Sequence, residues 1–382
     1  MKKKIIACAL TILIALTCYM LSPINDKMLL PGTWERRLSE HNFEEIIPKD
    51  DSDPLYVSYS EFRSEMGTEP NQVLSQYGSK FIRFDTADEL YRFSVDVCFL
   101  PDVVYPGSEK LTKAMIDVLL SLNYVLGCDI DYSVMKSKAF IPVGFSFGFE
   151  TAADYSIFTG TFDGRGFEIK NLYVADYPFL HFIDENDEHI VTTNYYAMFT
   201  YNRGTIKNLG LVNPTLELTE EHPDLEKASN LVGYNMAGGT VEHVYVIDDR
   251  SENYAGIRMS APFGQTTSSY SAAGIVHTNE GELRDAYYVS RYVVNRSYIN
   301  NFSVEPIVMV NEGYEEEDDL VYDSELYAAE NKSGKTTPPI GVGETTFILK
   351  NSSSLGDDWY YYPADGYPSL QGLRYVDGKY LI

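Results

Sequence analysis

Phe158-Thr-Gly-Thr-Phe-Asp-Gly-Arg-Gly-Phe-Glu-Ile-Lys-Asn-Leu-Tyr-Val174 decides how this chain folds, because diverged echoes of its second half return downstream. They read Tyr201-Asn-Arg-Gly-Thr-Ile-Lys-Asn-Leu-Gly-Leu211, Tyr234-Asn-Met-Ala-Gly-Gly-Thr-Val-Glu-His-Val-Tyr-Val246 and Thr278-Asn-Glu-Gly-Glu-Leu-Arg-Asp-Ala-Tyr-Tyr288, with a fainter copy at Val310-Asn-Glu-Gly313. Aligned on one apolar residue, the steps from Ile169 to Ile206, Val241 and Leu283 are 37, 35 and 42 residues. Repetition at that period means stacked supersecondary units, each burying its apolar side against its neighbours.

Each copy has a local logic. Gly204, Gly239 and Gly281 are expected to take positive φ at a tight corner, and the asparagine before each corner tolerates the left-handed region. The apolar pairs Leu172/Val174, Leu209/Leu211 and Val244/Val246 sit at period two, on one face of a strand. Upstream, Tyr196-Ala-Met-Phe-Thr200, Asn230-Leu-Val-Gly233 and Ala273-Gly-Ile-Val276 read as another strand of the same unit. The expected fold is all-β, a right-handed parallel β-helix with a short helical N-terminal cap and an N-terminal signal or anchor helix.

The Phe158 to Val174 segment, the returning Asn-x-Gly-Thr-Ile-Lys-Asn-Leu type unit and the terminal Asp365-Gly-Tyr-Pro-Ser-Leu370 resemble the GLUG-motif repeat proteins of bacterial, mostly Gram-positive, cell surfaces. The lead-in is similar too: Asp85-Thr-Ala-Asp-Glu-Leu90, Tyr124-Val-Leu-Gly-Cys-Asp-Ile-Asp131 and Ile141-Pro-Val-Gly144. The resemblance runs from about Phe84 to Leu370; Met198-Phe-Thr-Tyr201, Leu231-Val-Gly-Tyr234 and Ile275-Val-His-Thr278 depart from the family's Gly-Leu-Phe/Val-Gly-Tyr run. It implies a surface repeat protein without assigned activity, whose repeats accompany adhesive or cell-wall-linked domains.

Composition suits an exported body. The 382 residues are 44% hydrophobic, and 31 tyrosines against 2 tryptophans favour half-buried strand faces. The formal charge of −26 repels nucleic acid and anionic lipid. Lys2, Lys3 and Lys4 precede an uncharged apolar run from Ile5 to Leu21, the pattern of an export signal. An uncleaved anchor, lipidation at Cys18 after Ala15-Leu16-Thr17, and cleavage with secretion all stand open, and each places the body on the extracellular face. Membrane contact is then expected only through this segment. Cys98 and Cys128 either bridge or stay as buried thiols.

The expected organisation is a signal peptide or anchor over 1–22, a spacer or stalk over 23–83 with one short helix, and a helical lead-in and cap over 84–157. Repeats follow over 158–350 and a C-terminal cap over 351–382. Thr86-Ala-Asp-Glu89 is a capping box ahead of Leu90, Phe93 and Val97 at helical spacing. A second helix over 109–122 presents Leu111, Met115, Val118, Leu119 and Leu122 on one face. Trp359 and Tyr360 to Tyr362, with the turns of Pro363 to Pro368, are expected to close the far end.

Asp129, Asp131 and Asp163 are the candidate catalytic residues, because paired carboxylates can do acid and base work on a glycan. Against that, Asp163-Gly-Arg-Gly166 has turn composition, in which Asp bonds its own backbone, and the turn reading is preferred. Glu315-Glu-Glu-Asp-Asp319 reads as a solvated loop, with calcium a minor alternative, and no other cofactor is implied. His277 lies near a corner and reads as packed. No Gly-x-Ser-x-Gly elbow, phosphate loop or dinucleotide fingerprint occurs, which disfavours nucleophilic and nucleotide-dependent enzymes. The expected function is a monomeric, non-enzymatic interaction, adhesion or structural module for a glycan, cell-wall polymer or surface protein. The alternatives are an extracellular polysaccharide lyase or hydrolase working through Asp residues in a groove, with or without calcium, and a pure spacer.

Overall fold

The computed structural model describes residues 55–98, 111–136, 138–144, 156–175, 181–183, 189–191, 195–218, 227–248, 250, 256–260, 270–290, 294–297, 302–315, 320–330, 339–351, 359, 367–370, 375–376 and 379–380. Within them the fold is β-rich, mostly parallel sheet with few helices. The signal segment with Cys18, and Tyr360 to Gly366, lie outside the described residues. No helix among the described residues is long and apolar enough to cross a membrane.

Residues 55–83 are not the loose spacer expected of 23–83. They form β1 (Tyr56–Ser58), α1 (Tyr59–Glu65), α2 (Pro70–Tyr77) and most of β2 (Phe81–Phe84). Aromatic packing is the reason: Phe62 meets Tyr77 edge to face at 4.8 Å, and Tyr59 lies 5.2 Å from Phe84. In α3 (Ala87–Asp96) the capping box forms, with Thr86 accepting from the Glu89 amide at 3.2 Å. The Glu89 carboxylate reaches back to the Asp85 amide at 2.8 Å and takes the Ser60 hydroxyl at 2.7 Å, tying α3 to α1. The second helix, α4 (Lys113–Leu119), is shorter than expected and starts at a Thr112 cap. Then come β3 (Asn123–Leu126) and β4 (Ile130–Asp131).

The repeats follow. The first has β5 (Thr161–Asp163), β6 (Glu168–Lys170) and β7 (Tyr173–Ala175), then an antiparallel excursion, β8 (His181–Ile183) with β9 (His189–Val191). The second has β10 (Tyr195–Tyr196), β11 (Phe199–Asn202), β12 (Thr205–Val212) and β13 (Thr215–Leu218). The third has β14 (Lys227–Ser229), β15 (Val232–Asn235), β16 (Thr240–Asp248) and β17 (Ile257–Ser260). The fourth has β18 (Tyr270–Ala273), β19 (Val276–Asn279), β20 (Glu282–Ser290) and β21 (Val294–Ser297). The last has β22 (Phe302–Glu305), β23 (Val308–Asn311), β24 (Tyr314–Glu315), β25 (Leu320–Asp323), α5 (Ser324–Glu330), β26 (Val342–Glu344) and α6 (Thr346–Asn351).

Equivalent strands pair in parallel. The principal sheet runs β1-β2-β3-β5-β12-β16-β20-β25-β26, a second β10-β14-β18-β22, a third β11-β15-β19-β23 and a fourth β21-β17-β13-β7. The helical lead-in expected over 84–157 is therefore more than a cover for one end: its strand β3, with β1 and β2 before it, continues the principal sheet. The small-apolar segments expected as one strand are bends between two. Met198, Leu231, Ile275 and Ile307 turn inward at each bend and are fully buried.

The register corrects the hand alignment of the first repeat. Ile206, Val241 and Leu283 stand in one row with Phe162, while Ile169 pairs with Leu211. The cause is the bend within the principal sheet, which later repeats make with single left-handed residues, Asn208 (φ 52), His243 (φ 48) and Asp285 (φ 48). The first repeat uses Asp163-Gly-Arg-Gly166, with Arg165 at φ 54 and Gly166 at φ 78. Leu172 and Val174 consequently belong to the next side, and Val174 aligns with Leu216 and Ile257.

The corner glycines also work differently from the expectation. Gly204, Gly239 and Gly281 are not among the positive-φ residues. They stack with Gly160 and Gly313, and a Cβ on Gly204, Gly281 or Gly313 would overlap the carbonyl oxygen of the glycine one repeat earlier. The preceding asparagines are not left-handed either. Asn202 donates to Asn235, Asn235 to Asn279 and Asn279 to Asn311, each at 2.7 Å, as a ladder of side-chain amides between repeats.

Trp359 does not close the far end. Tyr245 and Tyr287 alternate with core residues Val244, Val246, Ala286 and Tyr288, so they leave the principal sheet on the opposite face. There Trp359 packs 5.8 Å from Tyr245 and 4.9 Å from Tyr287, with Val289, Val321, Leu349 and Leu370, as a second core. The main core is met at its far end by Tyr327 of α5, whose hydroxyl donates to the Val304 carbonyl at 3.1 Å. No disulfide joins Cys98 and Cys128; Cys128 donates to the Asp85 carbonyl, and burial pushes its thiol up.

Candidate functional site

Two side-chain groupings on the sheets have the makings of a site. The first contains the three candidate aspartates, and the structure separates their roles. Asp163 is buried at the first-repeat bend, where one carboxylate oxygen accepts the Arg165 amide at 2.8 Å and the Asn208 side chain at 2.9 Å. Its other oxygen lies 3.9 Å from the Lys207 ammonium. Asp129, just after β3, accepts the Glu168 amide at 3.0 Å and the Lys170 ammonium at 3.2 Å. Asp131 accepts the Ser133 amide and the Asn171 side chain, each at 2.9 Å. Those two bonds, Asn171 first, hold its carboxyl below the usual range.

Glu168 completes this group, and the sequence reading missed it. Its carboxylate takes Lys170 at 3.0 Å on one oxygen and the Tyr245 hydroxyl at 2.5 Å on the other. Burial alone would lower the Lys170 ammonium, but Glu168 and Asp129 raise it above its ordinary value. Only the cross-repeat pairing of β4 with β6 and the reach of Tyr245 from two strands away expose this relation. Both oxygens of Asp129 and both of Glu168 accept a donor, and the two carboxylates hold the Lys170 ammonium between them.

The second grouping lies at the bend between the second and third sheets. Tyr195, Lys227 and Ser271 occupy one row across β10, β14 and β18, while their neighbours Tyr196, Ala228 and Ala272 enter the core. Tyr201, Tyr234, Thr278 and Val310 form the matching row on β11, β15, β19 and β23. The rows converge on the ring of Tyr195, 5.9 Å from Tyr201, 5.4 Å from Tyr234 and 5.5 Å from His277. Gly233 admits this ring, since a Cβ there would press on the Tyr195 Cβ. The Lys227 ammonium lies 4.8 Å over the same ring.

Tyr195 and Tyr201 are the buried floor of this ledge, and Tyr234, Lys227, Ser271 and Thr278 are half-buried on it, beside the exposed Val310. Burial, then a hydrogen bond to Glu280, pushes the Tyr234 phenol up. The structure joins His277, expected as a packed residue, to Ser271 at 2.7 Å and to Thr278 at 3.0 Å. Elsewhere His243 sits 3.4 Å from Asp285 at the principal-sheet bend. Among the described residues no group of three or more His, Cys, Asp and Glu side chains could hold a metal ion. Most of Glu315 to Asp319 lies outside them.

No family model matches the chain, and neither a curated protein nor a solved structure does.

Proposed function

We propose that this chain is an exported bacterial surface module, related to the GLUG-motif repeat proteins and wound as a right-handed parallel β-helix, that binds a polymer without cleaving it. Repeat-to-repeat pairing of all four sheets supports the winding, and the Lys2 to Leu21 signal pattern supports extracellular display, anchored, lipidated or secreted. The observation that carries the binding reading is the ledge around Tyr195. An aromatic floor carries a half-buried tyrosine, a cation and hydroxyl groups, which is the chemistry that grips a glycan or cell-wall polymer.

The test is binding of the full chain to a panel of bacterial and host polysaccharides, with and without calcium, with product analysis alongside. Saturable binding without new ends is the expected result, and Tyr234→Ala should weaken it about tenfold, the loss of one aromatic anchor. A lyase or hydrolase is the second reading, favoured by the convergence of Asp129, Glu168 and Lys170. New reducing ends or unsaturated products, abolished by Asp129→Ala in a folded protein, would overturn the binding reading.

A further inference from the structure

Ser271, His277, Thr278, Tyr195 and Lys227 form one connected polar chain. Ser271 Oγ lies 2.7 Å from His277 Nε2, and His277 Nδ1 lies 3.0 Å from Thr278 Oγ1. Thr278 Oγ1 lies 3.1 Å from the Tyr195 hydroxyl, which accepts from Lys227 Nζ at 3.5 Å. Protonation of the imidazole on Nδ1, with Thr278 accepting, leaves the Nε2 lone pair facing the serine hydroxyl. His277 is buried and wedged against Tyr195, which fixes its ring, while Ser271 is half-buried.

A serine hydroxyl donated to a fixed imidazole is an activated nucleophile. Lys227 stands beside Ser271 in the strand register and carries its ammonium over the Tyr195 ring. The repeat pattern supplies a built-in comparison. Ser303 occupies the place of Ser271 one repeat on, where Met309 stands at the register position of His277. The pairing therefore belongs to this repeat and not to the repeat unit as such.

We propose that Ser271 and His277 form a hydrolytic site for carboxylic esters of small acyl groups, the kind of substituent carried on polysaccharide hydroxyls. Ser271 Oγ attacks the ester carbonyl as His277 Nε2 takes its proton. The bond to the leaving alcohol breaks as His277 returns that proton to the alcohol oxygen. Water then attacks the acyl-serine, His277 takes the water proton and passes it to Ser271, and the carboxylic acid departs. Thr278 accepts from Nδ1 throughout; its neutral hydroxyl stabilises an imidazolium less than a carboxylate does, which suits esters over the less reactive amides.

The experiment treats the full chain with diisopropyl fluorophosphate, maps the adduct by peptide mass spectrometry, and follows turnover of p-nitrophenyl acetate. A single adduct on Ser271 is expected. Turnover should fall at least about 100-fold in Ser271→Ala and in His277→Asn, the usual scale of a lost nucleophile or base, and persist in Ser303→Ala. Circular-dichroism melts verify folding of each variant; where Ser271→Ala does not fold, the adduct on the unsubstituted chain decides. No adduct on Ser271, or turnover that survives in a folded Ser271→Ala, would overturn the proposal. Both probes are small and need no polymer, so a failure of polysaccharide binding leaves these readouts untouched.

Discussion

Asn235 uses one side-chain amide to join three repeats. It accepts from Asn202, donates to Asn279 and also reaches the Glu282 carbonyl at 3.0 Å. Asn235→Ala leaves buried partners on both sides unmet and should cost about 3 kcal/mol, read as a lower urea midpoint at unchanged slope. Gly281→Ala should cost about 2 kcal/mol, because its methyl would meet the Gly239 carbonyl, and no φ preference is involved. The sequence marks both columns, since Asn and Gly return at each corner, but their purpose was not legible. A contact made one repeat away has no trace in local spacing, so turn chemistry was the nearest available reason. Asp131 carries a smaller, pH-dependent contribution. Its folded-state carboxyl is lowered, so the stabilisation is complete above the unfolded value of about 3.9 and is lost as pH falls through the folded one. Asp131→Asn should flatten the acid limb of the stability profile, measured by thermal melts across that range.

At the scale of elements, existence was easier to read than register. Thr86 and Glu89 announced α3, and the periodicity of Met115 and Leu119 announced α4. The slip came at Asp163-Gly-Arg-Gly166, where the first repeat spends more residues on a bend that Asn208, His243 and Asp285 each make alone. Composition could show a turn there but not how many residues it absorbs. The candidate site was legible in the same uneven way: a tyrosine-rich flank could be expected, yet Tyr195 and His277 meet only because β10 and β19 bend toward one another. Trp359 shows how a return contact over a long separation escapes prediction. Its ring fills the outer face beside Tyr245 and Tyr287, so Trp359→Ala should cost about 3–5 kcal/mol. In a Trp34→Phe background, its fluorescence should shift to the red at the same denaturant midpoint as the circular-dichroism signal. A shift at lower denaturant would mean that the outer cluster detaches before the sheets.

The whole molecule depends on keeping its tyrosines neutral. Tyr59, Tyr124, Tyr288 and Tyr327 have phenols raised first by burial, and Tyr173 is pushed up to about 12 by burial and then by its bond to Glu217. A raised folded value gives stability that is complete below the unfolded value of about 10 and lost as pH rises above it. Alkaline unfolding should therefore be steep and cooperative, and phenolate absorbance should rise together with loss of the circular-dichroism signal. Gradual ionisation ahead of unfolding would contradict that picture. Charge of −26 adds self-repulsion, which makes moderate salt stabilising at neutral pH. The run of strands from β1 to β26 has a mechanical meaning as well. The chain enters the principal sheet at one edge, β1, and leaves it at the other, β26, so tension between those two strands loads its ladder bonds row after row instead of all at once. A stack built this way yields by paying out slack: each freed repeat of 35 or 42 residues releases about 12 to 14 nm of contour.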